Sequence, residues 1–178
     1  MTSTSLAPIA IDCFINPART RTEAYGAARS AILSAPALGE AQAAITRWPG
    51  YAPTPLTALP ALARAMGVAS VHYKDEGTRF GLGSFKALGG AYAVARLLCR
   101  ELSARLARPV SFDDLLHDAA VRAAAAAITV TCATDGNHGR SVAWGAQMFG
   151  CACVIYIHAT VSEGRRAAIE AYGARVVR

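Results

Sequence analysis

The sequence predicts an α/β protein in which a parallel β-sheet lies between two layers of helices, giving three layers. Two runs rich in β-branched and apolar residues, 128–133 and 151–157, are typical of buried strands. Segments with helical spacing of apolar residues alternate with them, and each ends close to a glycine or a proline. Strands that alternate with helices form right-handed βαβ units, so we expect these strands to run parallel.

The first half of the chain is predicted to be less regular. Pro36 is expected to stop the first helix, because proline cannot continue one, and Trp48-Pro49-Gly50 is expected to close the second. The predicted elements, in order, are an extended leader over 1–15, a helix over 16–34, a helix over 38–47, an extended entry over 51–56, a helix over 59–66 and a strand over 70–74.

The second half shows clearer periodicity. Apolar residues at three- and four-residue steps predict a long helix from Lys86 to about Leu106, and Pro109 breaks the chain after it. The remaining predictions are a loop with a short helix over 112–118, a helix over 118–127, a strand over 128–133, a turn over 134–139, a helix over 138–149, a strand over 151–157, a helix over 162–173 and a strand that begins at 174.

Length, charge and cysteines exclude several classes of protein. The 178 residues can form one core, or one domain and part of another. The net charge of +6 is dispersed, without a run of five basic residues, so we expect no nucleic-acid partner. No apolar run approaches the length of a membrane span, and no signal peptide is visible, which predicts a cytoplasmic protein. Five scattered cysteines lack metal-ligand spacing and are predicted to be reduced core thiols.

The most informative stretch runs from Thr78 to Gly90 and contains Lys86. Ser84 is a favourable N-cap, which places Lys86 in the first helical turn. The helix dipole and any desolvation there favour the neutral amine, the form that condenses with an aldehyde. A solvated lysine at a helix start is the alternative. Gly81 and Gly83 match neither the dinucleotide-binding nor the Walker phosphate loop, because the required flanking residues are absent.

A second motif, Thr134-Asp135-Gly136-Asn137-His138-Gly139, follows the predicted strand 128–133. Open α/β sheets bind ligands at such strand ends, where the backbone N–H groups of the next helix can hold an anion. The amide of Asn137 can bond a ring hydroxyl, and the glycines permit close backbone approach. An ordinary turn with an N-cap remains the alternative.

Together the two motifs resemble fold-type II pyridoxal-phosphate (PLP) enzymes. Two features are similar to the diaminopropionate ammonia-lyases in particular. One is the aspartate before Gly-Asn-His-Gly, and the other is the string Lys74-Asp75-Glu76-Gly77-Thr78-Arg79-Phe80-Gly81-Leu82-Gly83-Ser84-Phe85-Lys86-Ala87-Leu88-Gly89-Gly90. The resemblance implies PLP-dependent β-elimination of 2,3-diaminopropionate to pyruvate and ammonia. It implies a small amino-acid substrate and, for the full-length family, a homodimer. The implied domains are 1–83, part of the larger cofactor domain, and 84–178, the smaller α/β domain.

The resemblance also implies residue roles. Lys86 would hold PLP and act in catalysis, and Phe85 and Asn137 would contact the cofactor. Asp135 would serve as a second acid/base near the substrate α-carbon. The implied substrate-binding residues are Thr134, Asp135, Gly136 and His138.

The resemblance covers residues 48–178 and corresponds to the N-terminal part of the family. The family's later glycine-rich phosphate loop has no counterpart after Lys86. We therefore expect an incomplete fold with exposed apolar surface. The functional hypotheses are a diaminopropionate ammonia-lyase, another fold-type II enzyme such as a threonine or serine dehydratase or threonine synthase, and a non-catalytic fragment that needs a complementary chain.

Overall fold

The computed structural model describes residues 16–18, 23–134 and 136–178. The helices are α1 (Ala27–Ser30), α2 (Ala35–Ile45), α3 (Pro60–Met66), α4 (Lys86–Leu106), α5 (Asp114–His117), α6 (Ala119–Ala125), α7 (Asn137–Phe149) and α8 (Glu163–Glu170). The strands are β1 (Leu56–Ala58), β2 (His72–Lys74), β3 (Thr129–Ala133), β4 (Ala152–Tyr156) and β5 (Arg175–Val177).

The strands form two separate sheets. Strands β3, β4 and β5 lie side by side in sequence order and are parallel, with Val130 opposite Cys153 and Ile155 opposite Val176. Strands β1 and β2 pair antiparallel, with Thr57 opposite Tyr73. The predicted α/β class with a parallel sheet is confirmed, and the two-stranded antiparallel sheet is an addition that the sequence did not predict.

Helix α7 is the centre of the larger unit. It packs on β3 and β4 and also contacts α8, and α4 packs along it. The core residues between these elements are fully buried, among them Leu98, Leu102, Phe149, Ile155 and Ile169. The starts of α4 and α7, where the two sequence motifs lie, are therefore carried by one packed helix pair.

The prediction of a long helix over 16–34 is wrong within the described residues. Only Ala27–Ser30 is helical there, and 23–26 and 31–34 are not. Pro36 does not stop a helix but lies in the first turn of α2, where its missing N–H has no intrahelical partner to lose. Ser34 caps this helix, because its hydroxyl accepts the Ala37 N–H at 3.2 Å. The predicted leader, 1–15, lies outside the described residues.

The predicted elements after residue 84 are confirmed, with differences of a few residues at their ends. Helix ends are the least certain feature of a pattern, since terminal turns fray. Within the described part of the chain, no helix combines the length and apolar character needed to cross a bilayer.

Four of the five cysteines lie in the described region, and all four are free and at least partly buried. Burial raises the pKa of Cys99 and of Cys151 to about 11 and that of Cys153 to about 12. A buried thiol with a raised pKa stays protonated and unreactive near neutral pH. The prediction of reduced core thiols is confirmed for these four, and Cys13 lies outside the described residues.

Candidate functional site

Lys86 is the first residue of α4. The N-cap is Phe85 rather than the predicted Ser84, but the Ser84 hydroxyl still accepts the Lys86 N–H at 3.2 Å. The side chains of Phe85 and Lys86 are exposed. The described residues therefore leave the amine accessible and do not desolvate it, contrary to one part of the sequence argument.

The chain contains only two lysines, and the structure distinguishes them. The Nζ of Lys74 donates to the carbonyl oxygen of Thr54 at 2.6 Å. The Nζ of Lys86 has no hydrogen-bond partner among the described residues. Lys86 is thus the lysine whose amine is available for covalent chemistry with an aldehyde.

The segment before Lys86, residues 76–85, which we call the lysine segment, has an unusual backbone. Phe80, Gly81 and Gly83 adopt left-handed conformations, with φ of 49°, 71° and 66°. Glycine adopts this region freely, whereas for Phe80 it costs about 1 kcal/mol, which tertiary contacts must offset. The Phe80 ring lies 4.7 Å from the Trp144 ring of α7, centroid to centroid, and also contacts Trp48 and Tyr51.

A buried ion pair fixes the start of the same segment. Arg79 binds both carboxylate oxygens of Glu76, at 2.8 and 3.0 Å, and is 7% exposed. It also donates to the Ala52 carbonyl and the Thr54 hydroxyl, both at 3.0 Å. The Arg79 guanidinium lowers the pKa of Glu76 to about 2. This network ties the extended entry at 51–56 to the lysine segment.

The turn before α7 is organised by Thr134. Its hydroxyl accepts the N–H groups of Gly136 and Gly139, each at 3.2 Å. A Cβ on Gly139 would lie 2.3 Å from Thr134 Cγ2, so only glycine fits there. Asn137 and His138 begin α7 and are exposed. Asp135 lies outside the described residues, so its predicted acid/base role stays a prediction.

Close contact between α4 and α7 brings the two motifs to the same end of the helix pair. Ser141 is fully buried, and its hydroxyl donates to the Ala87 carbonyl and accepts the Ala91 N–H, both at 3.2 Å. A Cβ on Gly90 would lie 2.4 Å from the Ser141 Oγ, and one on Gly145 would lie 2.8 Å from the Ala91 Cα. The helices approach this closely only because these positions are small.

Arg140 forms a second bridge between the motifs. Its Nη1 donates to the Leu82 carbonyl at 2.9 Å and its Nη2 to the Gly81 carbonyl at 3.4 Å. The guanidinium also lies over the Tyr172 ring, 5.7 Å from its centroid. Sequence reasoning missed both Arg140 and Ser141. The sequence does offer one signal for them. Arg140 and Ser141 are a cationic and a small hydroxyl residue that follow Asn137 by three and four positions, on a predicted helix that is otherwise largely apolar.

The residues present fit part of a site for an aldehyde cofactor. Lys86 supplies a free amine, and the backbone around Gly81 and Gly83 faces open space, since a Cβ there would meet nothing within 4 Å. The N–H groups of Asn137 and His138 stand in the first turn of α7, where helices leave such donors without intrahelical partners. A cavity of about 180 Å³ adjoins this turn, lined by Gly136, Asn137, Arg140, Arg165 and neighbouring residues of α8.

Comparison with known proteins identifies the family. Residues 47–178 match the model of the family described as pyridoxal-phosphate dependent enzyme. The chain is 44% identical over 128 residues to the diaminopropionate ammonia-lyase of Escherichia coli K12, an alignment that covers 72% of this chain and 31% of that relative. The chain thus spans about a third of the length of the curated relatives it matches.

Solved structures show similarity to the same enzyme. The apo crystal structure of the Escherichia coli diaminopropionate ammonia lyase superposes with a TM-score of 0.66 at 40% identity, covering 78% of this chain and 36% of that one. A structure of the same enzyme with an aminoacrylate–PLP azomethine reaction intermediate gives a TM-score of 0.64 at 38% identity, over 78% of this chain and 32% of that one. The exposed Lys86 starts α4, and the Gly-Asn turn leads into the start of α7 at the same end of the helix pair. With this arrangement and the match over residues 47–178, the chain belongs to the family of pyridoxal-phosphate dependent enzymes.

Proposed function

We propose that this chain carries the cofactor lysine and the asparagine turn of a PLP-dependent ammonia-lyase that acts on 2,3-diaminopropionate. The overall reaction takes one diaminopropionate and one water to one pyruvate and two ammonia. The observation that carries the proposal is the free amine of Lys86 at the start of α4, a helix whose first turn is hydrogen-bonded to α7 one turn after Asn137. The likeness to the Escherichia coli lyase supports the choice of substrate.

In this proposal Lys86 has two roles. Its amine would hold the cofactor covalently, and after the substrate amine has displaced it, the same amine would take the α-proton from one face. Bound PLP supplies an electron sink for the charge that develops at the α-carbon. Phe85, which is exposed beside Lys86, would contact the cofactor ring.

The asparagine turn would bind the rest of the substrate and cofactor. The Asn137 amide would hydrogen-bond the ring hydroxyl, and the turn formed by Thr134, Gly136 and His138 would bind the substrate carboxylate through backbone donors. Thr134 supports this role because its hydroxyl fixes the turn through two N–H groups.

Asp135 would be the second acid/base. As the resemblance implies, Asp135 would exchange the α-proton on the face opposite Lys86. The leaving β-amino group must depart as ammonia, so it requires a proton from one of these groups. Two proton carriers on opposite faces would allow both D and L substrates. Release of aminoacrylate and its hydrolysis in water would complete the reaction.

The proposal extends to domains and assembly. A boundary near residue 84 is supported by the position of the antiparallel sheet before it and the parallel sheet after it. The resemblance supports a homodimer for the full-length family, and the cytoplasmic location is proposed from the sequence pattern. Light scattering of the purified chain measures the assembly directly.

The test is a substrate panel with the purified chain and added PLP. We expect the chain to form pyruvate from 2,3-diaminopropionate and the Lys86→Ala variant to form none. A coupled lactate dehydrogenase assay measures the pyruvate. Preferential formation of 2-oxobutyrate from threonine would assign a dehydratase instead. No keto acid from any substrate would reject catalysis by this chain alone and leave the fragment hypothesis.

A further inference from the structure

We propose that Arg140 is a positioning residue for Lys86, holding the lysine segment in a fixed orientation against α7. The inference rests on the proposed function, in that it concerns how Lys86 is presented to the cofactor. The backbone of Phe80, Gly81 and Gly83 is left-handed at three of four consecutive residues. The two glycines adopt this region freely, but Phe80 does not, so its conformation needs contacts that hold it.

The contacts of Arg140 fall within this irregular stretch. Its two terminal nitrogens donate to the carbonyls of Gly81 and Leu82, which lie five and four residues before Lys86. The 2.9 Å hydrogen bond to Leu82 has a charged donor and is stronger than a neutral one, and the 3.4 Å contact with Gly81 is a weaker addition. The fork geometry of a guanidinium lets one side chain bond two neighbouring carbonyls, which fixes direction as well as distance.

Arg140 is positioned by α7 and by one aromatic ring. It stands three residues after Asn137 on α7, and its guanidinium lies over the Tyr172 ring. One turn further on the same helix, Trp144 contacts the Phe80 ring. Helix α7 therefore contacts the segment before Lys86 at two points. Arg140 bonds its backbone carbonyls, and Trp144 packs against the Phe80 ring. Because Asn137 begins this helix, the same element sets the positions of both Asn137 and Lys86.

Hydrogen exchange of the full chain without cofactor tests whether Arg140 stabilises the lysine segment. In Arg140→Ala, we expect amides over 80–86 to exchange about tenfold faster, as follows from the loss of charge-assisted hydrogen bonds. Amides of β4 should be unchanged. Arg140→Lys keeps a cation that can reach one carbonyl and should restore part of the protection. Arg96→Ala, which removes an exposed guanidinium from α4, is the matched control and should behave as the original chain.

A second readout separates positioning from general stability. After incubation with PLP and reduction with borohydride, the ratio of label on Lys86 to label on Lys74 should fall about tenfold in Arg140→Ala. Lys74 serves as the internal reference, because the hydrogen bonds and ring contact of Arg140 described above involve neither Lys74 nor Thr54. Partial recovery of the ratio in Arg140→Lys supports the inference even if Arg140→Ala folds poorly.

Three results would overturn the inference: unchanged exchange over 80–86 in Arg140→Ala, an equal acceleration in every peptide, or an unchanged label ratio in a chain that labels Lys86. If the original chain labels neither lysine, the proposed cofactor role of Lys86 fails. In that case the exchange experiment alone decides whether Arg140 holds the segment.

Discussion

At the scale of single residues, a buried ion pair between Arg79 and Glu76 supports the segment that precedes Lys86. Arg79 and Glu76 bond in a bidentate manner, and Arg79 also holds Thr54 and Ala52. Removing one partner of a buried pair is costly, since it leaves the other charge uncompensated. The network is therefore a structural support for the lysine segment.

The Glu76→Gln substitution should lower the free energy of unfolding by about 3 kcal/mol at pH 7, because Arg79 loses its counter-charge. Denaturant titration measures this difference. Glu101→Gln, which alters a more exposed carboxylate beside Arg100, is the control and should change stability by less than about 0.5 kcal/mol. Equal effects of the two substitutions would contradict the role of the buried pair.

The same pair predicts a pH dependence. The pKa of Glu76 is lowered from the ordinary glutamate value of 4.5 to about 2 in the folded chain, mainly by its hydrogen bond with Arg79, so the folded state favours the carboxylate. Its contribution to stability is fully present above about pH 4.5 and is lost as the pH falls towards 2. The stability difference between the original chain and Glu76→Gln should therefore shrink over this range in melting experiments. A difference that stays constant between pH 7 and pH 3 would argue against the assignment.

Some of these residues could be predicted from the sequence and others could not. Lys86 and Asn137 stand in local motifs, so their placement at helix starts follows from neighbouring residues. Arg140 and Ser141 act across more than fifty residues of sequence, on Gly81, Leu82 and Ala87. Such contacts are set by tertiary packing, which no local pattern records.

At the scale of elements, the contact between α4 and α7 determines how close the two motifs come. It depends on small residues at Gly90, Ala91, Ser141 and Gly145. Alanine normally stabilises a helix relative to glycine by up to about 1 kcal/mol. Here the change in stability depends on which atoms the added methyl group contacts, and the adjacent Gly89 and Gly90 differ in this respect.

Gly90→Ala should destabilise the chain by about 2 kcal/mol, because the new Cβ would lie 2.4 Å from the Ser141 Oγ and force the helices apart. Gly89→Ala is the matched control. A Cβ there meets nothing within 4 Å, so this substitution should stabilise the chain by about 0.5–1 kcal/mol. Thermal unfolding of both variants gives the comparison, and a Gly90→Ala variant as stable as Gly89→Ala would contradict the close-contact account.

Element prediction succeeded where periodicity was strong and failed where prolines dominate. The α4, α7 and β3–β4–β5 segments carry apolar patterns that tertiary contacts reinforce. The sequence pattern predicts a helix stop at Pro36, but proline is equally suited to a first helical turn, and the Ser34 cap shows that Pro36 lies in the first turn of α2. Strand β1 was expected only as an extended entry, because its pairing with β2 depends on a contact more than ten residues away.

At the scale of the whole molecule, many large apolar side chains of the described residues are exposed to solvent. Every residue of β1 and β2 is exposed, including Leu56 and Tyr73 at 65% and 55%. Tyr156 of β4 is also about half exposed. A two-stranded sheet with both faces open is only marginally stable alone, and contiguous apolar surface favours association. The expected exposure of apolar side chains is thus observed.

We expect the purified chain to self-associate at concentrations of tens of micromolar, a range reached by modest apolar contacts. Sedimentation velocity measures this directly. The double variant Leu56→Ser and Tyr73→Ser should shift the distribution towards the monomer, whereas Ser30→Ala, an exposed substitution at the end of α1, should leave it unchanged. A monomeric original chain would show that this surface does not drive association.

The most direct test of the central claim, that Lys86 holds the cofactor, is peptide mapping of the chain after incubation with PLP and reduction with borohydride. The chain has only two lysines, so the competing side-chain site is Lys74. We predict a visible absorbance band of the lysine-bound cofactor, a label on Lys86, little on Lys74, and loss of the band in Lys86→Ala. Absence of the label from Lys86, or equal labelling of both lysines, would contradict the account.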